Sequence, residues 1–206
     1  MIVALVILAV VTVLGIASMR SSNLELKMAA SERDRSVAFQ IAESGLMAVE
    51  KYLASPAGRF GIENFLSSCK GDRCFTSSCT NGLCFSGDID NAKSKRDCQL
   101  ANADGNVLEK WRDAGMWDAP ANNTDPATYK TIDVPKTSDY SATNNVNKVQ
   151  YMVEFLCFVP REDNQPETFE EGSDAWDLPL YRITVRAVGE ANRSTVMLQS
   201  IFKAGR

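Results

Sequence analysis

From Met1 to Met19 the chain carries no charge and almost no polar side chain, and it then turns charged and helix-favouring with no proline before Pro56. At about 1.5 Å per residue such an apolar helix reaches ~28 Å, close to the ~30 Å hydrocarbon core of a bilayer. In lipid every backbone amide must be satisfied within the segment, which forces helix despite the Val and Ile content. Gly15 is the weak point, since glycine inside a helix costs about 1 kcal/mol against alanine, and Arg20 marks the interface. Beyond it Leu24, Met28, Val37, Ile41, Leu46, Val49 and Leu53 recur at three- to four-residue intervals, the period of one helical face. Ser31 to Arg35 forms a polar girdle, read as a solvated face or a set of intermolecular ion pairs, and Ser31-Glu32 is also a candidate local break. The helix is predicted to end at Ala54 and Ser55, because Pro56 disfavours helical geometry in the residue before it.

The pattern changes period in the C-terminal half. Lys148 to Pro160, Leu180 to Val188 and Thr195 to Lys203 are rich in β-branched and aromatic residues, and a short turn-like stretch, Gly189 to Ser194, separates the last two. They are expected to pair antiparallel. Tyr181, Ile183, Val185 and Ala187 alternate with Arg182, Thr184 and Arg186, so one sheet face should pack on Ile41, Leu46, Val49 and Leu53 while the other faces water. Ala114 to Asn147 reads as a long exposed loop, preceded by a short helix from Val107 to Ala114. Arg161 to Leu178 is an acidic insertion around Phe169 and Trp176, either solvated or a contact surface for a basic partner. The expected organisation is α+β: an apolar helix half (1–19), an amphipathic half of the same helix (20–54) and an exported β-rich head (55–206).

Composition removes several functions. The net charge is −4, and no patch interleaves Lys or Arg with aromatics, so nucleic acid is not an expected partner. Histidine is absent, which removes the commonest general base and metal ligand; an enzyme here would need a nucleophile with a base, or paired carboxylates, and only scattered Asp and Glu remain. No catalytic residue, cofactor or metal site is expected. A cleavable secretory signal would show a basic start, a shorter apolar core and a small-residue cleavage site, none of which is legible.

Six cysteines, Cys69, Cys74, Cys79, Cys84, Cys98 and Cys157, imply three disulfides in an exported domain, with fifteen pairings open. The first four recur at a five-residue step through a segment poor in Val, Ile and Leu, so staples are expected to replace a hydrophobic core there. Cys157 lies in a strand and is expected to tie this loop to the sheet. Zinc and cluster sites favour tighter hooks than four-residue gaps. Asp88, Asp90 and Asn91, and Asn102, Asp104 and Asn106 around Gly105, read as turns rather than calcium loops, since neither completes a twelve-residue loop closed by Glu.

The run from Ser18 to Ala30 (Ser-Met-Arg-Ser-Ser-Asn-Leu-Glu-Leu-Lys-Met-Ala-Ala), followed by Ala38-Phe39-Gln40-Ile41-Ala42-Glu43-Ser44-Gly45-Leu46, resembles the N-terminal helix of PilX-type minor pilins. Tyr181 to Ala187, the Gly189 loop and Val196 to Ser200 are similar to that family's closing hairpin. The resemblance covers about a third of the chain and leaves Pro56 to Asn147 unmatched. It implies a type IV pilin-like fold, whose long helix is seated in the inner membrane before assembly and packed in the filament core afterwards. Most major pilins carry a Glu a few residues into the apolar segment; here Ile2 to Val6 hold none. The basic leader ending in glycine is also not seen, which leaves Met1 as a processed terminus or an internal start.

Packing in such a core would fall to Val3, Leu5, Val6, Leu8, Val11, Leu14, Gly15 and Ile16, with the small residues Ala4, Ala9, Gly15 and Ala17 allowing close approach. The expected partners are other pilin subunits through the helix, other minor pilins and a tip adhesin. The favoured expectation is a minor pilin that helps initiate assembly and supports that adhesin. A major pilin, a pseudopilin of a type II secretion system and a membrane-tethered extracytoplasmic enzyme are the alternatives.

Overall fold

A computed structural model describes residues 1–85, 98, 109–118, 127–135, 146–160, 177–189 and 193–205, with the backbone alone described at 13–23, 135, 146, 160 and 177. Helix α1 runs from Ile2 to Ala54 without interruption, so the break anticipated at Ser31-Glu32 does not occur. Fifty-three residues make it about 80 Å long at the standard rise. Ser55 ends it: the residue turns extended, its Oγ–H donates to the Tyr52 carbonyl at 2.6 Å, and Pro56 opens a short 3-10 turn.

The sheet has five strands, β1 (Leu83–Cys84), β2 (Lys130–Pro135), β3 (Val146–Pro160), β4 (Asp177–Val188) and β5 (Thr195–Lys203). β3, β4 and β5 form the antiparallel meander expected of these three β-branched and aromatic runs, in register from Leu180↔Lys203 to Val188↔Thr195 across the last pair. The other two strands correct the sequence reading. Within the supposed loop from Ala114 to Asn147, β2 pairs antiparallel with the first half of β3, while the two residues of β1 pair parallel with Val153 and Glu154. Of the short helix expected at Val107 to Ala114, the described part is two 3-10 turns, Lys110–Arg112 and Ala114–Trp117. The acidic insertion between β3 and β4 lies outside the described residues.

The core lies between the C-terminal half of α1 and one face of this sheet. Ala38, Ile41, Ala42, Val49 and Leu53 on the helix are buried against Val149, Tyr151, Val153, Phe155, Tyr181, Ile183, Val185 and Ala187. Val37 and Leu46 pack at its margin, whereas Leu24 and Met28 continue the same helical periodicity into open solvent. Gly45 sets the closeness of the layers: a Cβ there would stand 2.6 Å from Val149 Cγ1. Below the helix end, Phe60, Phe65, Phe75, Phe155, Phe158 and Tyr181 form one aromatic cluster with centroids 4.2–6.5 Å apart. The stapled loop therefore does bury side chains of its own, Phe75, Leu83 and Phe85, contrary to the expectation that covalent links stand in for a core.

The second sheet face is not wholly wet. Thr184 and Met152 on it are buried, under a layer made by Trp117 and the Cys79–Cys84 disulfide with Trp111, Met116 and Tyr129 at its edge. The Trp117 indole N–H donates to the Trp111 carbonyl at 2.9 Å, and Gln150 Nε2 and Arg186 Nη1 each donate to the Trp117 carbonyl at 3.3 Å. Arg186 and Arg182 are thus consumed in holding this layer rather than solvated.

Gly45→Ala is expected to lower the unfolding free energy by about 1–2 kcal/mol, the overpacking against Val149 exceeding the ~1 kcal/mol gain in helix propensity. Urea unfolding of the variant against the parent checks it; a stabilised variant would show that helix and sheet are not in the close contact described.

Candidate assembly surface

Among the described residues, the apolar side chains at the start of α1 are exposed. Ile2, Val3, Leu5, Val6, Ile7, Leu8, Val10 and Val11 are each 52–79 % exposed, with Ala4 and Ala9 exposed between them. Thus Val3, Leu5, Val6, Leu8 and Val11 of the predicted packing set lie uncovered on one helix, whereas the side chains of Leu14, Gly15 and Ile16 fall outside the described residues. Full burial of an aliphatic side chain of this size is worth about 1.5–3 kcal/mol. A contiguous exposed stripe of that kind exceeds what a soluble monomer ordinarily tolerates. Among the described residues no helix is long and apolar enough to cross a membrane.

The arm is set on the head by a specific contact. Asp34 is buried within the polar girdle, and its Oδ2 accepts the backbone N–H groups of Arg193 at 3.1 Å and Ser194 at 2.9 Å, at the entrance to β5. Gly189 closes the same turn through its N–H to the Ser194 carbonyl at 2.9 Å, and a Cβ on it would meet Asp34 Oδ1 at 2.5 Å. Glu32, Arg33 and Arg35 around it are exposed. The girdle thus divides: one carboxylate turns inward to bind the hairpin and its neighbours face solvent. Residue type does not distinguish Asp34 from them; the helical spacing to Val37 and Ile41, which puts position 34 on the buried face, was the available signal.

The cysteines form three disulfides, Cys69–Cys74, Cys79–Cys84 and Cys98–Cys157. The four evenly spaced cysteines pair each with its neighbour, and the stapled loop reaches the sheet through β1 rather than through Cys157. A β-bulge between Phe155 and Cys157 explains the third link. Phe155 pairs with Tyr181 on the core face, but the register shift sets Cys157 opposite Leu180 on the other face.

On that outer face Arg182 Nη1 donates to Glu109 Oε1 at 3.1 Å and to Glu154 Oε2 at 3.2 Å, and Arg112 Nε lies 2.6 Å from Glu109 Oε2. This is the paired-carboxylate arrangement that sequence reasoning did not find, because Glu109, Glu154 and the Arg182 between them are far apart in sequence. A guanidinium shared by both carboxylates makes the group a tie between the 109–118 segment and the sheet. Burial pushes the Glu154 carboxyl above its usual range, Arg182 opposes that and Glu109 adds to it. In the aromatic core Tyr181 lies wholly buried, and burial raises its phenol likewise. No three His, Cys, Asp or Glu side chains converge among the described residues, and the two Asp/Asn-rich turns lie outside them.

Residues 1–46 match a family model described as PilX N-terminal, and residues 80–204 match one described as type IV pilus assembly protein PilX C-term. No curated protein and no solved structure matches the chain.

Two expectations follow from this geometry. Replacing Leu5 and Leu8 together by Lys should leave head stability within about 0.5 kcal/mol, as for surface positions, while reducing aggregation of the full chain in water; sedimentation and urea unfolding read the two effects separately. For Glu154, a folded pKa above the unfolded value means that the native state holds the proton more tightly. Stability is therefore lost as pH rises from about 4.5 through the raised pKa. Glu154→Gln removes this loss, so its stability relative to the parent should increase from pH 4 to pH 7; a constant difference would show that Glu154 carries no such shift.

Proposed function

Because the chain belongs to the PilX family of type IV pilus assembly proteins, we propose that it is a minor pilin which helps initiate pilus assembly and supports a tip adhesin. The observation that carries the proposal is the divided helix: one face from Asp34 to Leu53 is packed by the head, whereas the apolar residues from Ile2 to Val11 are exposed among the described residues. In this reading 1–19 is the segment that other pilin subunits enclose in the filament core, 20–54 links it to the head, and 55–206 is the exported head displayed outside.

Before assembly the apolar segment sits in the inner membrane. What supports that seat is the uncharged sequence from Met1 to Met19, long enough as helix to match the hydrocarbon core. Lipid supplies no hydrophobic gain on helix association, so entry into the filament rests on van der Waals packing, which Ala4 and Ala9 favour by admitting close backbones. Once extracted, the same stripe is hidden from water by its neighbours, and dissociation would re-expose it. The role is structural: the filament requires of this chain a rigid arm and a stable head, and the partners are other pilins, other minor pilins and the adhesin.

Mass spectrometry of filaments sheared from the cell surface tests the proposal. The chain is expected as a small fraction of the filament protein, with all six cysteines in disulfide-linked peptides, and its deletion should reduce the number of filaments. A dominant band would contradict a scarce initiating subunit, and absence from the filaments would contradict a pilin role.

A further inference from the structure

The two edges of the sheet are treated differently. One side of β3 is closed by β1 and β2 together, while on the other β4 is followed by β5, and among the described residues no element pairs with the far side of β5. β5 is nine residues long, contains no proline, has a single charge at Lys203, and keeps an unbroken register with β4. Natural edge strands are usually blunted by bulges, prolines, inward charges or a cover. The outer layer of Trp117 and the Cys79–Cys84 disulfide is built over β3 and β4, and beyond it Met197 and Ile201 of β5 are 39 % and 57 % exposed.

Along this edge lies an open groove of about 740 Å³ between the strand from Thr195 to Leu198 and a shelf of α1 bearing Glu32, Arg35, Phe39 and Glu43. Phe39 is itself 44 % exposed on that shelf. Every second residue of an edge strand turns its backbone N–H and C=O away from the sheet, and only another extended backbone answers that row in register. The groove is therefore shaped for a strand rather than a helix or a small molecule.

We propose that the open edge of β5, with its α1 shelf, is a strand-docking site for an extended segment of another pilus component. The inference rests on the pilin reading and deepens it by assigning a second contact besides the apolar arm. The added strand alternates apolar residues beside Met197 and Ile201 on the outer face with residues over Phe39 on the inner. Two carboxylates against one guanidinium on the shelf favour Lys or Arg in the inward row. A second copy of this chain is the poorer occupant: antiparallel pairing of β5 with another β5 is a two-fold, closed contact that points the two arms in opposite directions, whereas a filament grows by head-to-tail contacts.

The test places a photoreactive benzophenone amino acid at Met197 of the full chain in piliated cells, with Asp133 on the opposite side of the sheet as the comparison position. The expected result is an adduct from position 197 with a pilus protein other than this one, and its loss in the added variant Ile201→Lys, whose three disulfides and incorporation into sheared filaments are intact. If the chain is present in filaments but position 197 gives no adduct, gives only a dimer of this chain, or behaves as position 133 does, the docking site is wrong while the pilin role stands. If the chain is absent from filaments, both fall.

Discussion

The contact between the C-terminal half of α1 and the inner face of the sheet is the constraint on which everything else rests, because it fixes one half of a long helix firmly to the head. Ala38, Ile41, Ala42, Gly45, Val49 and Leu53 present small and medium side chains to the sheet, and the absence of a Cβ at Gly45 lets the backbone approach Val149 closely. A helix held in that way over about four turns does not swing freely. Asp34 adds a polar contact one turn beyond the apolar ones, gripping two backbone N–H groups of the β4–β5 turn. The arm leaves the head at a direction set by packing and by that carboxylate, and a subunit whose arm must align with others in a common core needs such a fixed direction.

The head is organised to make that contact rigid. Its inner layer is aliphatic above and aromatic below, and its outer layer is held by arginines that bridge to carboxylates and main-chain carbonyls. Two disulfides close short loops within the 69–84 segment, and the third joins Cys98 to the face of β3 that the bulge exposes to it. Loop-rich surface is thereby tied to the sheet at several points, and Phe75, Leu83 and Phe85 carry the core into it.

The helix and the last three strands were legible in the sequence: a three- to four-residue period runs along 37–53, a two-residue period along 181–187, and 148–160 and 195–203 stand out as runs of β-branched and aromatic residues. β1 and β2 were not. Leu83–Cys84 is too short to show alternation, and Lys130–Pro135 lies among Asn, Thr and Asp, where its apolar residues Ile132 and Val134 are too few to stand out; both strands exist because β3 offers them an edge. The covered outer face was likewise invisible, since Thr184 and Arg182 look solvated until Trp117 and Glu109, distant in sequence, are brought over them. The unpaired apolar arm was the opposite case. None of the described head residues covers the side chains from Ile2 to Val11, and the apolar pattern read from the sequence matches that exposure.

The most direct test is the solution state of the chain lacking residues 1–29, measured by sedimentation alongside the full chain in water. A folded monomer with three disulfides, set against an aggregating full chain, is the outcome expected if the arm is surface awaiting neighbours. A truncated chain that unfolds or still aggregates would mean that the apolar segment belongs to the core of its own head.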